Sequence, residues 1–303
     1  MGMQPFPSLE SIRPIIELAK NEDLGPRGDD VTSRLTIDEK TIGVATLLQK
    51  DVGIACGLPI VEYICGAYDE RLRVEQIPGF HMEIIEARFS DARTTPLLRI
   101  RGPMRSLLSA ERVILNFLQR MSGVATLTQR FVRRVAGTSA KIYDTRKTIP
   151  GFRALDKYAV VAGGGYNHRI GLYDGLLVKD NHLAAYPIKE LTTRLQPIIN
   201  QCRSEDPQRL VEVEVDTLEQ LREALKLDGV GVILLDNMDC PKMELAVDLR
   251  NKAGKKGLID LEASGGVTLE TVRSVAQTGV ERIAVGAITH SAPAMDIGMD
   301  VEE

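Results

Sequence analysis

The sequence predicts an α/β protein: a C-terminal open or incomplete α/β barrel behind an N-terminal α+β, sandwich-like domain. Between Lys141 and His290, six apolar runs of strand length end abruptly in polar, charged or glycine residues. Amphipathic helical stretches separate several of these runs, and strands alternating with such helices imply a parallel sheet. Six strand ends in about 150 residues fall short of the ~250 that a closed eightfold barrel takes, so the barrel is expected to be open. The first hundred or so residues lack this alternation. The expected boundaries are an N-terminal domain over 1–115, a catalytic barrel over 116–290, and a tail, 291–303, packing back on the first domain.

Residues 41–58, with Val44, Leu47, Leu48, Ile54 and Cys56, read as extended segments around a turn near Asp51 to Gly53. A short helix over 60–68 follows, then strands over 72–77 and 84–89. Ala110, Ile114, Phe117, Leu118, Met121 and Ala125 fall at helical spacing and define one buried stripe, with Gly123 expected to break or bend the helix. Arg112 lies on the side opposite Ile114, and on the residues alone it is a solvated surface position. Beyond Lys141, one helix face carries Ile188, Leu191, Leu195, Ile198 and Ile199. Another carries Leu218, Leu221 and Leu225, ahead of a strand over 230–235. Leu269, Val272 and Ala276 make a third, ahead of a strand over 283–285.

Composition narrows the function classes. A hydrophobic content of 44% with 26% charged residues is that of an ordinary globular enzyme. The net charge of −4 gives no field that would draw the chain to nucleic acid or a membrane surface. Trp is absent and aromatics are 4%, which argues against a base-stacking surface. Cys56, Cys65, Cys202 and Cys240 show no CxxC spacing and read as reduced thiols. No apolar stretch approaches the ~20 residues of a membrane span. The start, Met-Gly-Met-Gln-Pro-Phe, has neither a signal-peptide pattern nor a myristoylation signal, so a cytoplasmic location is expected.

The chemistry sits at the strand ends, where an α/β barrel builds its site. In Leu210-Val-Glu-Val-Glu-Val-Asp216, strand alternation puts Val211, Val213 and Val215 on one face and Glu212, Glu214 and Asp216 on the other. The valines suit the outer helices, so the acids point inward and need cations, a metal or substrate hydroxyls. An edge strand with a solvated acidic face is the competing reading. Asp236 ends the next apolar strand and weighs against it. Arg146, Lys147, His168, Arg169 and Lys179 supply the cations, at loop tips where Arg can grip carboxylate or phosphate with paired donors. The glycines of Ala162-Gly-Gly-Gly-Tyr-Asn-His-Arg169 permit close backbone approach and expose amides, without forming a dinucleotide or Walker loop. Ser264-Gly265-Gly266 and Val285-Gly286-Ala287 follow the last two strands, where barrels bind phosphate beside a helix N-terminus. The whole suggests a pocket for highly anionic substrates.

These residues, in this order, resemble the quinolinate phosphoribosyltransferase family almost end to end. The matching stretches begin with Glu22-Asp-Leu-Gly, Gly28-Asp-Asp-Val-Thr-Ser33, Ala110-Glu-Arg112 with Ser122-Gly123, and Asp144-Thr-Arg-Lys-Thr148. They continue through Gly163-Gly-Gly-Tyr-Asn-His-Arg169, Lys179-Asp-Asn-His182, Glu212-Val-Glu214, Leu235-Asp-Asn237, Glu262-Ala-Ser-Gly-Gly266 and Val285-Gly286. Ile149 stands where the family often has a second threonine, and no charged group changes.

The resemblance implies phosphoribosyl transfer from phosphoribosyl pyrophosphate to quinolinate with decarboxylation. The products are nicotinate mononucleotide, pyrophosphate and carbon dioxide. Magnesium accompanies the donor and no organic cofactor is required. It further implies that Arg112, Thr145, Arg146, Lys147, His168, Arg169 and Lys179 contact the anionic substrates. Glu214 and Asp236 would lie near the ribose hydroxyls and, indirectly, the magnesium. Ser264, Gly265, Gly266, Val285, Gly286 and Ala287 would hold the 5-phosphate. Lys147, Lys179, Glu214 and Asp236 are the expected catalytic groups. A homo-oligomer with shared active sites is implied too, and it gives outward-facing Arg112 a partner's pocket to reach. Two rival readings are a barrel lyase or aldolase forming a Schiff base on Lys179, and a non-catalytic binder of an anionic metabolite.

Overall fold

The computed structural model describes residues 5–77, 88–90, 94–183 and 186–302. The chain divides into two compact units. One comprises Met1–Gln129, Thr148–Gly164 and Ile288–Glu303; the other comprises Arg130–Lys147 and Gly165–Ala287.

The first unit holds the helices α1 (Leu9–Leu24), α2 (Val31–Thr36) and α3 (Ile60–Tyr68), residues 104–129 of α4 (Met104–Val135), and α5 (Arg153–Ala162). Its strands are β1 (Ile42–Gln49), β2 (Gly53–Ala55), β3 (Arg73–Gln76), β4 (Arg88–Ser90), β5 (Thr95–Pro103) and β12 (Ile297–Val301). An antiparallel sheet runs β12-β1-β5-β3, and β2 pairs with β4. Alternate residues Gly43, Ala45, Leu47 and Gln49 of β1 are buried, the period-2 signature of a strand with one covered face. The apolar stripe of α4, from Ala110 to Ala125, is buried as expected. Hydroxyls on α4 satisfy amides in and just after β2: Thr126 Oγ1 accepts from Ile54 N at 2.9 Å, and Ser122 Oγ from Cys56 N at 2.9 Å. A bare β-edge would otherwise leave these donors unpaired.

Two expectations need correction here. Helix α4 runs unbroken through Gly123. A Cβ at that position would meet the Pro293 carbonyl oxygen at 2.0 Å, so the glycine serves close packing and not a helix break. Gly163 likewise faces the carbonyl of Ala125, 2.4 Å from where a Cβ would stand, so its close approach is to a helix. Of the strand expected over 84–89, residues 84–87 lie outside the described residues, and the rest falls in β4.

The second unit is a six-stranded parallel sheet in the order β6-β11-β10-β9-β8-β7. The strands are β6 (Lys141–Tyr143), β7 (Gly175–Val178), β8 (Leu210–Val215), β9 (Val232–Asp236), β10 (Asp260–Ser264) and β11 (Arg282–Ala284). No pairing between β6 and β7 occurs among the described residues, so the barrel is open. The helices are α6 (Asp180–Leu183), α7 (Leu191–Glu205), α8 (Leu218–Ala224), α9 (Cys240–Lys252), α10 (Val272–Gln277) and α11 (Ala287–His290), the last of which begins at the unit's final residue. Helix α8 starts with a complete capping box, Thr217 and Gln220 each bonding the other's backbone. The expected face of α7 holds for Leu191, Leu195 and Ile199, but Ile198 is exposed and Cys202 takes the buried place.

Candidate active site

Strand alternation builds one wall of the site. Val211, Val213 and Val215 of β8 are buried on one face; Glu212 and Glu214 are buried on the other. Strand β8 lies between β7 and β9 and is no edge, so the solvated-acid reading fails. Asp216 falls just beyond the strand and is exposed, with its amide donating to Gln220 Oε1 at 2.7 Å. Register carries the same face across the sheet. Glu214 lies beside Leu234, which lies beside Glu262, which lies beside Arg282, and one step further on Asp236 lies beside Ser264.

A cavity of about 580 Å³ opens over this face. Thr145, Arg146 and Lys147 line it from the loop after β6, and His168 and Arg169 from the segment before β7. Lys179, Glu214 and Asp236 enter from successive strand ends. Ser264, Gly265 and Gly266 close another side, with Leu177, Leu234, Asn237, Glu262 and Ala284 between them. Eleven residues expected from the sequence are thus gathered in one place. Val285 is buried, and neither it nor Gly286 or Ala287 lines the cavity; Ala284 takes that position. Arg112 is exposed on α4, in the first unit.

On the cationic side, two guanidinium groups sit close enough to oppose each other. Burial, and then the charge of Arg146, hold Arg169 below the ordinary arginine value. Arg169 Nη1 donates to the Gly175 carbonyl at 3.0 Å, whereas its buried Nε has no hydrogen-bond partner among the described residues. Asp144, fully buried, fixes the approach by accepting the His168 amide at 2.7 Å. A carboxylate or phosphate entering here would relieve the repulsion.

On the acidic side, Lys179 Nζ lies 3.1 Å from Glu214 Oε2. Burial pushes the Glu214 carboxyl up; Lys179 opposes this, and the charges of Asp236 and Asp180 add to it. Asp236 Oδ2 accepts from Asn237 Nδ2 at 2.6 Å. Asn237 itself has a φ of 51°, a left-handed conformation that Asn tolerates better than most residues. Its amide is tied to the Ser264 carbonyl at 2.9 Å. The next residue, Gly265, has a φ of 97°, and a Cβ there would stand 2.1 Å from Asn237 Oδ1. Only glycine fits this turn. The expected helix N-terminus does not adjoin it, because α10 begins only at Val272.

Sequence reasoning turned Glu212 inward without naming its partner and gave Glu262, Arg282 and Asn237 no role, yet Glu212, Glu262 and Arg282 form a buried cluster with His168. His168 Nε2 lies 2.9 Å from Glu212 Oε2 and 3.5 Å from Glu262 Oε1. Arg282 Nε donates to Glu262 Oε2 at 2.6 Å, and its guanidinium stacks 3.9 Å over the Tyr143 ring. Burial, and then the Glu212 charge, push the Glu262 carboxyl up to about 7 against the pull of His168 and Arg282. Period-2 alternation in Asp260-Leu-Glu-Ala-Ser264 was the signal that could have placed Glu262 on the site face.

The model of the quinolinate phosphoribosyl transferase N-terminal domain matches residues 30–122, and that of its C-terminal domain matches 124–300. A nicotinate-nucleotide pyrophosphorylase [carboxylating] of Mycobacterium leprae is 40% identical over 96% of this chain and 98% of its own. A probable enzyme of the same name from Bacillus subtilis is 39% identical over 92% of this chain and 90% of its own. Among solved structures, the nicotinate-nucleotide pyrophosphorylase of Francisella tularensis superposes with a TM-score of 0.84 at 32% identity, covering 98% of each chain.

Proposed function

The chain belongs to the quinolinate phosphoribosyltransferase family, and from that premise we propose that it joins quinolinate to phosphoribosyl pyrophosphate in the cavity described above. The products are nicotinate mononucleotide, pyrophosphate and carbon dioxide. One observation carries the reading: the charges of Arg146 and Arg169 oppose each other in a pocket that Glu214 and Asp236 also line. A dicarboxylate satisfies the first pair, and a ribosyl centre gaining positive charge suits the second.

In this reading Thr145, Arg146, Lys147 and Arg169 grip anionic groups, and Lys147 and Lys179 stabilise the departing pyrophosphate. Glu214 and Asp236 favour the oxocarbenium character left on the ribose carbon. The pyridine nitrogen attacks that carbon as the C–O bond to pyrophosphate breaks. The carbon–carboxylate bond beside the quaternised nitrogen then breaks, releasing carbon dioxide, and the ring carbon takes a proton. Ser264, Gly265 and Gly266 cradle the 5-phosphate with backbone amides.

Magnesium is part of this reading and arrives with phosphoribosyl pyrophosphate. The donor set fits, since Glu214 and Asp236 are hard oxygen groups whose charges repel each other, and a divalent cation relieves that repulsion. The Schiff-base alternative is disfavoured by the contact of Lys179 with buried Glu214, because a paired ammonium is a poor nucleophile. Among the described residues no helix is long and apolar enough to cross a membrane. Work in the cytoplasm, and a homo-oligomer in which Arg112 completes a neighbour's pocket, belong to the same proposal. Incubation with quinolinate, phosphoribosyl pyrophosphate and magnesium should yield nicotinate mononucleotide. Borohydride trapping of substrate on Lys179, without that product, would favour the lyase instead.

A further inference from the structure

Both nitrogens of the His168 ring are engaged inside the protein. Nδ1 accepts the Arg169 amide N–H at 2.7 Å, and Nε2 faces Glu212 at 2.9 Å. An imidazole accepting at Nδ1 carries its proton on Nε2, where Glu212 receives it. Two influences on this ring oppose each other. Burial and the charge of Arg282 lower its pKa, but the Glu212 hydrogen bond and the charges of Glu212 and Glu262 outweigh them and favour the imidazolium. The Arg169 amide disfavours it, because a proton on Nδ1 would set two N–H groups face to face in a buried place. The amide contact decides, since backbone cannot turn away as a side chain can, and a proton in the cluster has Glu262 as an alternative seat.

The cluster is also poorly suited to a metal. Ligand atoms of His168, Glu212 and Glu262 lie within 4.8 Å of one another. The Arg282 guanidinium, 2.6 Å from Glu262, already supplies the positive charge such an ion would bring.

We propose that Glu212 is a positioning residue, backed by Glu262 and Arg282, that holds His168 as a neutral strut under Arg169 and not as a cation. This deepens the proposed function and rests on it for the identity of the anion. His168 still lines the cavity, but as an uncharged ring. The ring sets the backbone at Arg169, and so aims the guanidinium whose Nε is still without a partner. What the pocket needs from Glu212 is an acceptor at the right place, not a negative charge.

Two measurements test it. Nitrogen-15 spectra of the histidine-labelled full chain should show one ring with Nδ1 unprotonated and Nε2 protonated from about pH 6 to about pH 8, assigned by its loss in His168→Gln. Saturating quinolinate should leave that pattern in place. An imidazolium at His168 in this range, or Nδ1 gaining a proton when quinolinate binds, overturns the proposal. In kinetics, Glu212→Gln retains an acceptor and should keep the KM for quinolinate within about threefold, whereas Glu212→Leu should raise it about tenfold or more, with the KM for phosphoribosyl pyrophosphate much less affected. Equal losses in the two variants would mean that charge matters and would also overturn it. Should Glu212→Leu fail to fold, the Gln variant and the spectra still decide. Should wild-type protein make no product, the proposed function fails, while the spectra still report on the strut.

Discussion

Gly265→Ala perturbs the turn that sets Asp236, and its cost can be worked from the geometry. A side chain at a φ of 97° costs about 1–3 kcal/mol in backbone strain. The new Cβ would also stand 2.1 Å from Asn237 Oδ1, so that amide must retreat by roughly 1 Å to regain van der Waals contact. Asn237 Nδ2 holds Asp236 at 2.6 Å, and the displacement therefore reaches a proposed catalytic carboxylate. Misplacement on this scale costs up to about a hundredfold in turnover. Gly266→Ala is the control: its φ is 59°, and nothing lies within 4 Å of the added methyl. It carries strain of about 1–2 kcal/mol without the clash. Steady-state kinetics, with urea denaturation to correct for stability, should show a loss about ten times greater for Gly265→Ala, concentrated in kcat and in the KM for phosphoribosyl pyrophosphate. Indistinguishable kinetics in the two variants would mean that the Asn237–Asp236 contact does not matter.

Three further outcomes are expected. Arg146→Ala should weaken quinolinate binding by about 2 kcal/mol, roughly thirtyfold, with little effect on folding; unchanged affinity by calorimetry would remove Arg146 from the site. Glu262 holds its proton up to about 7 in the folded protein, against 4.5 ordinarily. The folded state therefore binds more protons between those values, and stability from this group is full below the lower one and is lost as pH rises through the upper. The gap corresponds to about 3 kcal/mol at most. Denaturation midpoints should fall between about pH 5 and about pH 8, and fall less in Glu262→Gln; parallel curves would place the titration elsewhere. Finally, Arg112→Ala and Lys147→Ala, each inactive alone, should regain partial activity when their subunits exchange, because a mixed oligomer regenerates one intact site. Absence of recovery after verified exchange would end the shared-site proposal.

The strand ends were legible because chemistry at a parallel strand's carboxyl end interrupts an apolar run, a local signal. Glu214, Asp236, Lys179 and the Ser264–Gly265–Gly266 turn were all found that way. The pairing of Glu262 with Arg282 was not, since it depends on the β10–β11 register and on residues twenty apart in sequence. Gly123 was misread because a glycine inside a helix carries the same letter whether it breaks the helix or admits a neighbouring backbone, here Pro293. Helix α9 went unnoticed although Asp239 caps it and Pro241 opens its first turn. Its buried Met243, Ala246 and Arg250 make too weak an apolar stripe to stand out. Val285, Gly286 and Ala287 were expected in the pocket because small residues after a late strand suit phosphate, but strand β11 ends at Ala284, and that residue lines the cavity.

The central claim is that decarboxylation follows ribosyl transfer to the pyridine nitrogen in a single site. Quinolinate labelled in the carboxylate beside that nitrogen tests this most directly. With magnesium and phosphoribosyl pyrophosphate present, labelled carbon dioxide, pyrophosphate and nicotinate mononucleotide should appear in equal amounts, and omitting the ribosyl donor should abolish release of the label. Labelled carbon dioxide released without the donor, or pyrophosphate formed with no loss of label, would contradict the account.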